Sequence, residues 1–191
     1  FIINKKWVHD FCEKIIKQKL RFKWAVNARI DLADYDLFRH MKKAGLDSVF
    51  FGVECGSQRI LDFYKKGITI EQTEKAFEIC HKLRIRTGAY FMLGALPETR
   101  EDMELTYQFA KKLRATFSFV FVFMPLPGSD LYQHYIDQGY KFDYNNIRSD
   151  KANFSSAGFT LEELESMRDR WYHDFNKRPP FIIRGLNALR D

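Results

Sequence analysis

The strongest constraint on this chain is a repeat of pattern rather than of residues. Four strand-like runs, "FKWAVNARID" (22–31), "DSVFFGVE" (47–54), "RTGAYFMLGAL" (86–96) and "FSFVFVFMP" (117–125), are each followed by a helical pattern. Strand then helix, four times over, predicts right-handed βαβ units and a parallel sheet, which places the chain in the α/β class. The runs are apolar on both faces, as parallel strands covered by helices should be.

Local signals bound the helices. Asp34 is placed to cap a helix carrying Leu37, Phe38 and Met41 that stops at Gly45. Thr69 with Gln72 makes a capping-box pattern ahead of Thr73, Ala76, Cys80 and Leu83. Thr99 caps a stripe of Met103, Thr106, Ala110 and Leu113, and Ser129 a shorter helix ending at Gly139. A first helix, "KKWVHDFCEKIIKQ", precedes the first strand. A last one, from Thr160 to about Asn176, pairs Thr160 with Glu163 and carries Leu164, Met167, Trp171 and Phe175. Residues 140–159 read as a loop which, with that last helix, is expected to cover the mouth of the fold. The remainder, "KRPPFIIRGLNALRD", begins as a proline break and is expected to end as a short helix.

Composition narrows the class further. Hydrophobic residues are 46% of the 191 and aromatic residues 16%, with 19 Phe, and that many rings require a core. The net charge of +6 permits an anionic partner. Lys and Arg are scattered along the sequence, which favours a solvated basic surface over a nucleic-acid site. Cys12, Cys55 and Cys80 are far apart and form no CxxC or CxxxCxxC, so they encode no metal or cluster site. The five histidines fall in helical patterns without a ligand pair. The longest apolar run, at 117–128, is too short to span a bilayer as a helix. No signal peptide shows, and a reducing cytoplasmic compartment is the default expectation. The opening at Phe1, already in strand or loop register, reads like the middle of something longer.

In parallel α/β folds sites lie at the carboxyl ends of the strands. The first strand ends with Asn27, Arg29 and Asp31, expected to share one face by the period of two. The second ends at Glu54, with Gly52 on its face and Gly56-Ser57 beyond. The third ends "LGALPET", with Gly94, Pro97 and Glu98, and the fourth ends "MPLPGS", with Met124 and Pro125. Plainer roles are open for each. Arg29 with Asp31 would serve as a surface ion pair, Glu54 as a turn cap, Glu98 as a complement to a helix dipole, "PLPG" as a rigid turn and Cys55 as a filler.

Taken in order, these residues resemble the radical S-adenosylmethionine (radical SAM) enzymes. The resemblance runs through R-x-D, then "GVECGS", then K-G-x-T, then the glycine-proline-glutamate turn, then "PLPGS", and covers about residues 1–140. The branch it suggests is the one usually preceded by a cobalamin-binding domain, which includes the anaerobic magnesium-protoporphyrin ester cyclases. The resemblance implies a partial TIM-like (β/α)₆ barrel, of which this chain would supply about four strands (residues 1–140) with a C-terminal loop and helical extension (141–191). It also implies a 4Fe–4S cluster on a CxxxCxxC motif, reductive cleavage of S-adenosylmethionine and a 5′-deoxyadenosyl radical. An electron donor such as flavodoxin or ferredoxin is implied, and a cobalamin site in an upstream domain.

By the same resemblance Glu54 meets the cofactor's ribose or amino group and Arg29 its carboxylate. Asn27 and Ser57 join that wall, while Gly94, Pro97, Glu98, Met124 and Pro125 flank the adenine. The chain departs from the family's G-x-P-G-E turn with Gly94-Ala95-Leu96-Pro97-Glu98, and it lacks CxxxCxxC. It is therefore expected to carry part of the cofactor wall, no cluster ligands and no catalysis of its own, and to expose an open strand edge prone to dimerisation. Two other readings stay open. One is a complete small α/β-barrel enzyme using Glu54 and Glu98 as acid and base. The other is a non-enzymatic module, binding RNA through its basic surface and its tail.

Overall fold

The computed structural model describes residues 1–142, 144 and 158–176. The tail from 177 onward and most of the 140–159 loop lie outside those residues. Four parallel strands stand in the order β1-β2-β3-β4: β1 (Trp24–Ala28), β2 (Leu46–Glu54), β3 (Arg86–Leu93) and β4 (Phe117–Val122). Between and around them run α1 (Lys5–Lys17), α2 (Tyr35–Lys43), α3 (Gln58–Phe63), α4 (Ile70–Lys82), α5 (Arg100–Leu113), α6 (Asp130–Asp137) and α7 (Leu161–Asn176).

The caps form as the sequence predicts. Asp34 accepts from the Leu37 amide, and Ser129 from that of Tyr132. Thr69 with Gln72, and Thr99 with Asp102, close reciprocal capping boxes. Thr160 and Glu163 exchange the same pair of bonds.

The strands' two apolar faces have different origins. Right-handed crossovers that all step in one direction leave their helices on one side of the sheet. On that side the Phe51 ring lies 6.3 Å from Phe38 of α2 and 5.4 Å from Phe77 of α4. Phe91 lies 6.1 Å from Phe175 of α7. The other side carries partly buried rings in contact with one another: Phe50 to Tyr90 at 6.0 Å and Tyr90 to Phe119 at 5.3 Å. Gly88 lets Phe50 lie across β3, for a Cβ there would strike the ring. A sheet with helices outside and side chains filling the inner face is a barrel wall.

Two expectations change. The first strand stops at Ala28, and Ile30–Leu32 form a 3₁₀ turn, so the period of two that was to align Asn27, Arg29 and Asp31 is broken. The last helix does not cover the mouth; α7 packs along β4. Asn176 of α7 accepts from the Ser118 amide at 3.0 Å and donates to its carbonyl at 2.7 Å, and Leu164, Trp171 and Phe175 are buried in the main core. Its apolar stripe and those two bonds hold it in the outer layer.

Candidate functional site at the strand ends

Parallel strands bring all four exits to one end of the sheet, and each exit is built differently. At β1 the Arg29 guanidinium donates to both oxygens of Asp31, at 3.0 and 2.9 Å, and stays exposed. Asn27 is exposed beside Phe50 in the register.

At β2 the chain bends sharply. Glu54 has φ of 68°, a left-handed conformation that costs a non-glycine residue on the order of 1 kcal/mol, and the pairing with β3 shifts there. Its carboxylate folds back over Gly52 and meets the ammonium of Lys66. A Cβ on Gly52 would sit 2.5 Å from Glu54 Oε1 and 3.1 Å from Lys66 Nζ, so glycine makes the room this ion pair occupies. Glu54 is 8% exposed. Its plainer role as a turn cap gives way to this pair.

Beyond it, Gly56 presses on α5: its amide donates to Thr106 Oγ1 at 2.9 Å, and a Cβ would lie 2.7 Å from the Leu105 carbonyl oxygen. Ser57 Oγ donates to Asp102 Oδ1 at 2.6 Å. Asp102 also accepts from the Thr99 amide at 2.9 Å, from the Thr99 hydroxyl at 2.7 Å and from the Arg59 guanidinium. Burial opposes its charge, but the Ser57, Thr99 and Arg59 bonds outweigh that and hold the carboxyl down to about 2. Ser57 is thus committed to the scaffold.

At β3 the turn folds around Glu98. Its Oε2 accepts from the amides of Gly94 (2.6 Å) and Ala95 (3.1 Å), rather than complementing the following helix. Gly94 has φ of 92°, and a Cβ there would press on Leu164. Burial pushes the Glu98 carboxyl up to about 7, against the pull of those amides. Its Oε1 is buried without a partner, as is the Tyr64 hydroxyl. Pro97 fixes the same turn, its carbonyl accepting from Arg59 at 2.8 Å, while Tyr135 accepts from the Leu96 amide at 2.5 Å.

At β4, Phe123 donates to Leu93 at 2.7 Å, which carries Met124 and Pro125 onward beside the β3 turn. The Pro125 carbonyl accepts from Tyr144 at 3.0 Å, and "PLPG" is the rigid turn, closed by Ser129 on Leu126.

The structure therefore gathers Gly52, Glu54, Gly94 and Glu98 at neighbouring strand ends and leaves Arg29 on its own pair. Sequence reasoning missed Lys66, Arg59 and Asp102. Lys66 stood within the K-G-x-T motif, and Asp102 three residues after the Thr99 cap, where a carboxylate signals a capping box.

A layer of outer helices on one wall of parallel strands, with glycines and carboxylates at the exits, defines a barrel-type α/β domain with its site at the strand ends. The Radical SAM superfamily model matches residues 3–110, and the chain belongs to that superfamily. It is 35% identical over 154 residues to the anaerobic magnesium-protoporphyrin IX monomethyl ester cyclase of Rubrivivax gelatinosus, covering 80% of this chain and 27% of that protein. It is 29% identical over 188 residues to an uncharacterized methyltransferase of Pyrococcus horikoshii, covering 97% of this chain and 41% of that protein.

Among solved structures, the radical SAM methyltransferase TsrM from Kitasatospora setae, with cobalamin and a [4Fe-4S] cluster bound, superposes with a TM-score of 0.62 at 16% identity, over 87% of this chain and 34% of that one. The cobalamin-dependent radical enzyme OxsB, with aqua-cobalamin and S-adenosylmethionine bound, gives a TM-score of 0.54 at 22% identity, over 70% and 20%. These two share the fold. The chain spans between a quarter and about two fifths of the length of the curated relatives named.

Whether the family's cofactors fit can be tested on the residues themselves. Among the described residues no group of three His, Cys, Asp or Glu side chains is placed to hold a metal ion. The three cysteines are free and buried, and burial pushes the Cys55 and Cys80 thiols up to about 12. A cluster does not fit them. S-adenosylmethionine fits better: the glycine-floored Glu54–Lys66 pair presents both an acceptor and a cation, and the exposed Arg29 a second cation. No helix among the described residues is long and apolar enough to cross a membrane.

Proposed function

We propose that this chain is the later part of the barrel wall of a radical SAM enzyme, and that its strand ends bind and orient S-adenosylmethionine. The observation that carries this reading is the Glu54–Lys66 pair laid over Gly52 at the exit of β2. A strained, left-handed glutamate, nearly buried against a half-exposed lysine, is held where a zwitterionic ligand can replace either partner. Glu54 accepts the ribose hydroxyls or the amino group, Lys66 and Arg29 face the carboxylate, and the Gly94–Glu98 turn with Met124 closes on the adenine. In the whole protein a 4Fe–4S cluster would supply the electron for reductive cleavage of the cofactor, while these residues would bind and orient it. The cluster's ligands come from outside these residues, the electron from a flavodoxin or ferredoxin. A cobalamin domain in the same protein is part of this reading, since the structurally similar TsrM and OxsB were solved with cobalamin bound.

The acid–base alternative lacks support from the site, because Glu98 commits one oxygen to backbone amides and is buried at 2% exposure. The test is anaerobic release of 5′-deoxyadenosine from S-adenosylmethionine by the protein in its full reading frame, cluster reconstituted and reduced. Glu54→Gln slows that release at least about tenfold, some 1.4 kcal/mol of lost transition-state contact. The 191-residue chain alone releases none and binds the cofactor too weakly for calorimetry. Micromolar binding by the chain alone would overturn the division of labour argued here.

A further inference from the structure

The end of the sheet opposite this site carries a second surface. Parallel strands gather all their helix-to-strand connections at one end. Here those connections, with the last helical turn before each, read "KIIKQKLRFK" (14–23), "KK" (42–43), "KLRIR" (82–86) and "KKLR" (111–114). These segments hold thirteen of the chain's 31 cations and none of its 25 carboxylates, so the rest of the chain is net acidic. Neighbouring carboxylates pair with three of the thirteen, Asp47 with Arg86, Glu78 with Lys82 and Glu74 with Lys112, and Glu13 adjoins Lys14. Cations scattered in sequence are collected by topology. Contacts confirm the juxtaposition: Lys42 Nζ donates to the Arg84 carbonyl at 3.0 Å, and Trp24 pairs with Gly45 at 3.3 Å.

Lysines in the last turn of a helix complement its dipole and need no ligand. That accounts for Lys17, Lys43 and Lys82 but not for those past the helix ends. Lys19, Arg84 and Arg114 stand just past the ends of α1, α4 and α5 with φ of 54°, 54° and 50°. Glycine is the ordinary occupant of that left-handed position, and Gly45 fills it after α2. All three side chains are exposed, and no ion pair reaches them among the described residues. Beside them, "KLRFK" (19–23) alternates exposed cations with Leu20 at 50% and Phe22 at 46% exposure. Charge alternating with an open ring suits a stacked base and its phosphate.

We propose that this face binds single-stranded nucleic acid, with Lys19, Arg21, Lys23, Arg84 and Arg114 on phosphates and Phe22 under a base. Three inter-strand steps set the outer connections roughly 15 Å apart, room for two to three phosphates. The reading is independent of the cofactor site at the other end.

Anisotropy of labelled 20-nucleotide RNA and DNA of one mixed sequence, across a salt series, tests it with the full chain. Affinity falls with salt by about 0.7 log per phosphate contacted, giving a slope of roughly −1.4 to −2 for two to three phosphates. Lys19→Ala with Arg21→Ala and Lys23→Ala weakens binding at least about tenfold and flattens the slope by roughly 1–2. Arg84→Gly with Arg114→Gly, which keeps the left-handed turns, flattens it too. Phe22→Ala weakens binding without changing the slope. Preference between the RNA and DNA arms identifies the natural ligand, and tight binding of either supports the site. A flat salt response, equal binding by the charge-deleted variants, or displacement by polyglutamate as efficient as by unlabelled RNA would overturn it.

Discussion

The two ends of this sheet handle charge in opposite ways. Where the strands exit, buried carboxylates find partners inside the chain: Glu54 in Lys66, Glu98 through one oxygen in the amides of its own turn, Asp102 in Ser57, Thr99 and Arg59. Where the strands begin, Lys19, Arg21, Lys23, Arg84 and Arg114 are exposed and have no ion-pair partner among the described residues. A carboxylate taken from water must find a partner or lose its charge, while a cation left in water need find none. The first end therefore describes its own geometry, and the second describes something that arrives.

The sharpest way to break this contrast is Asp102→Ala. It strands the Ser57 hydroxyl and the Thr99 amide and unties the β2 exit from α5. A loss of about 3 kcal/mol in denaturant-unfolding free energy is expected, as for one partner removed from a buried hydrogen-bonded charge. A loss below about 1 kcal/mol would mean that water replaces the carboxylate and that the exit end is less self-sufficient than its contacts imply.

Glu98 gives the next largest effect, and its sign is set by burial. Its carboxyl is pushed up to about 7 from an ordinary 4.5, so the native state holds the proton more tightly than the unfolded chain. The stability it contributes is complete below pH 4.5 and is lost as pH rises through 7. Glu98→Gln should remove that decline, on the order of 3 kcal/mol at most, when melting is followed from pH 4 to 8. Nearby ionisable groups are Asp102, Arg59, Tyr64, Tyr135, Cys55 and Glu54. A variant retaining the wild-type pH slope would move the titration to one of them.

Much of the fold was legible because it rests on short-range signals. Thr69 with Gln72 and the Leu164, Trp171, Phe175 stripe are decided within one or two helical turns. The family order of motifs located the strand ends for the same reason. What was not legible depends on topology or on a partner far along the chain. Nothing local in "GVECGS" says that Ser57 spends its hydroxyl on Asp102, 45 residues on. Nothing in a scattered run of lysines says that four connections will share one end of a sheet. The placement of α7 along β4 rather than over the mouth was invisible likewise, since an amphipathic stripe specifies burial but not against what.

The smallest effect tests the one exit that behaves like the opposite end. Arg29 and Asp31 form a two-pronged bond, yet the arginine side chain is 57% exposed and the aspartate 25%. An exposed pair two residues apart brings the chain little order it lacks, and salt screens it. Arg29→Ala should leave the midpoint of denaturant unfolding essentially unchanged. In the full-length protein the same substitution should slow 5′-deoxyadenosine release through a raised KM for S-adenosylmethionine. Loss of stability without loss of affinity would make Arg29 a brace for the 3₁₀ turn. Loss of affinity alone would show that Asp31 only holds the guanidinium until a ligand carboxylate replaces it, leaving a charge at the exit end that, like those at the other, is answered from outside.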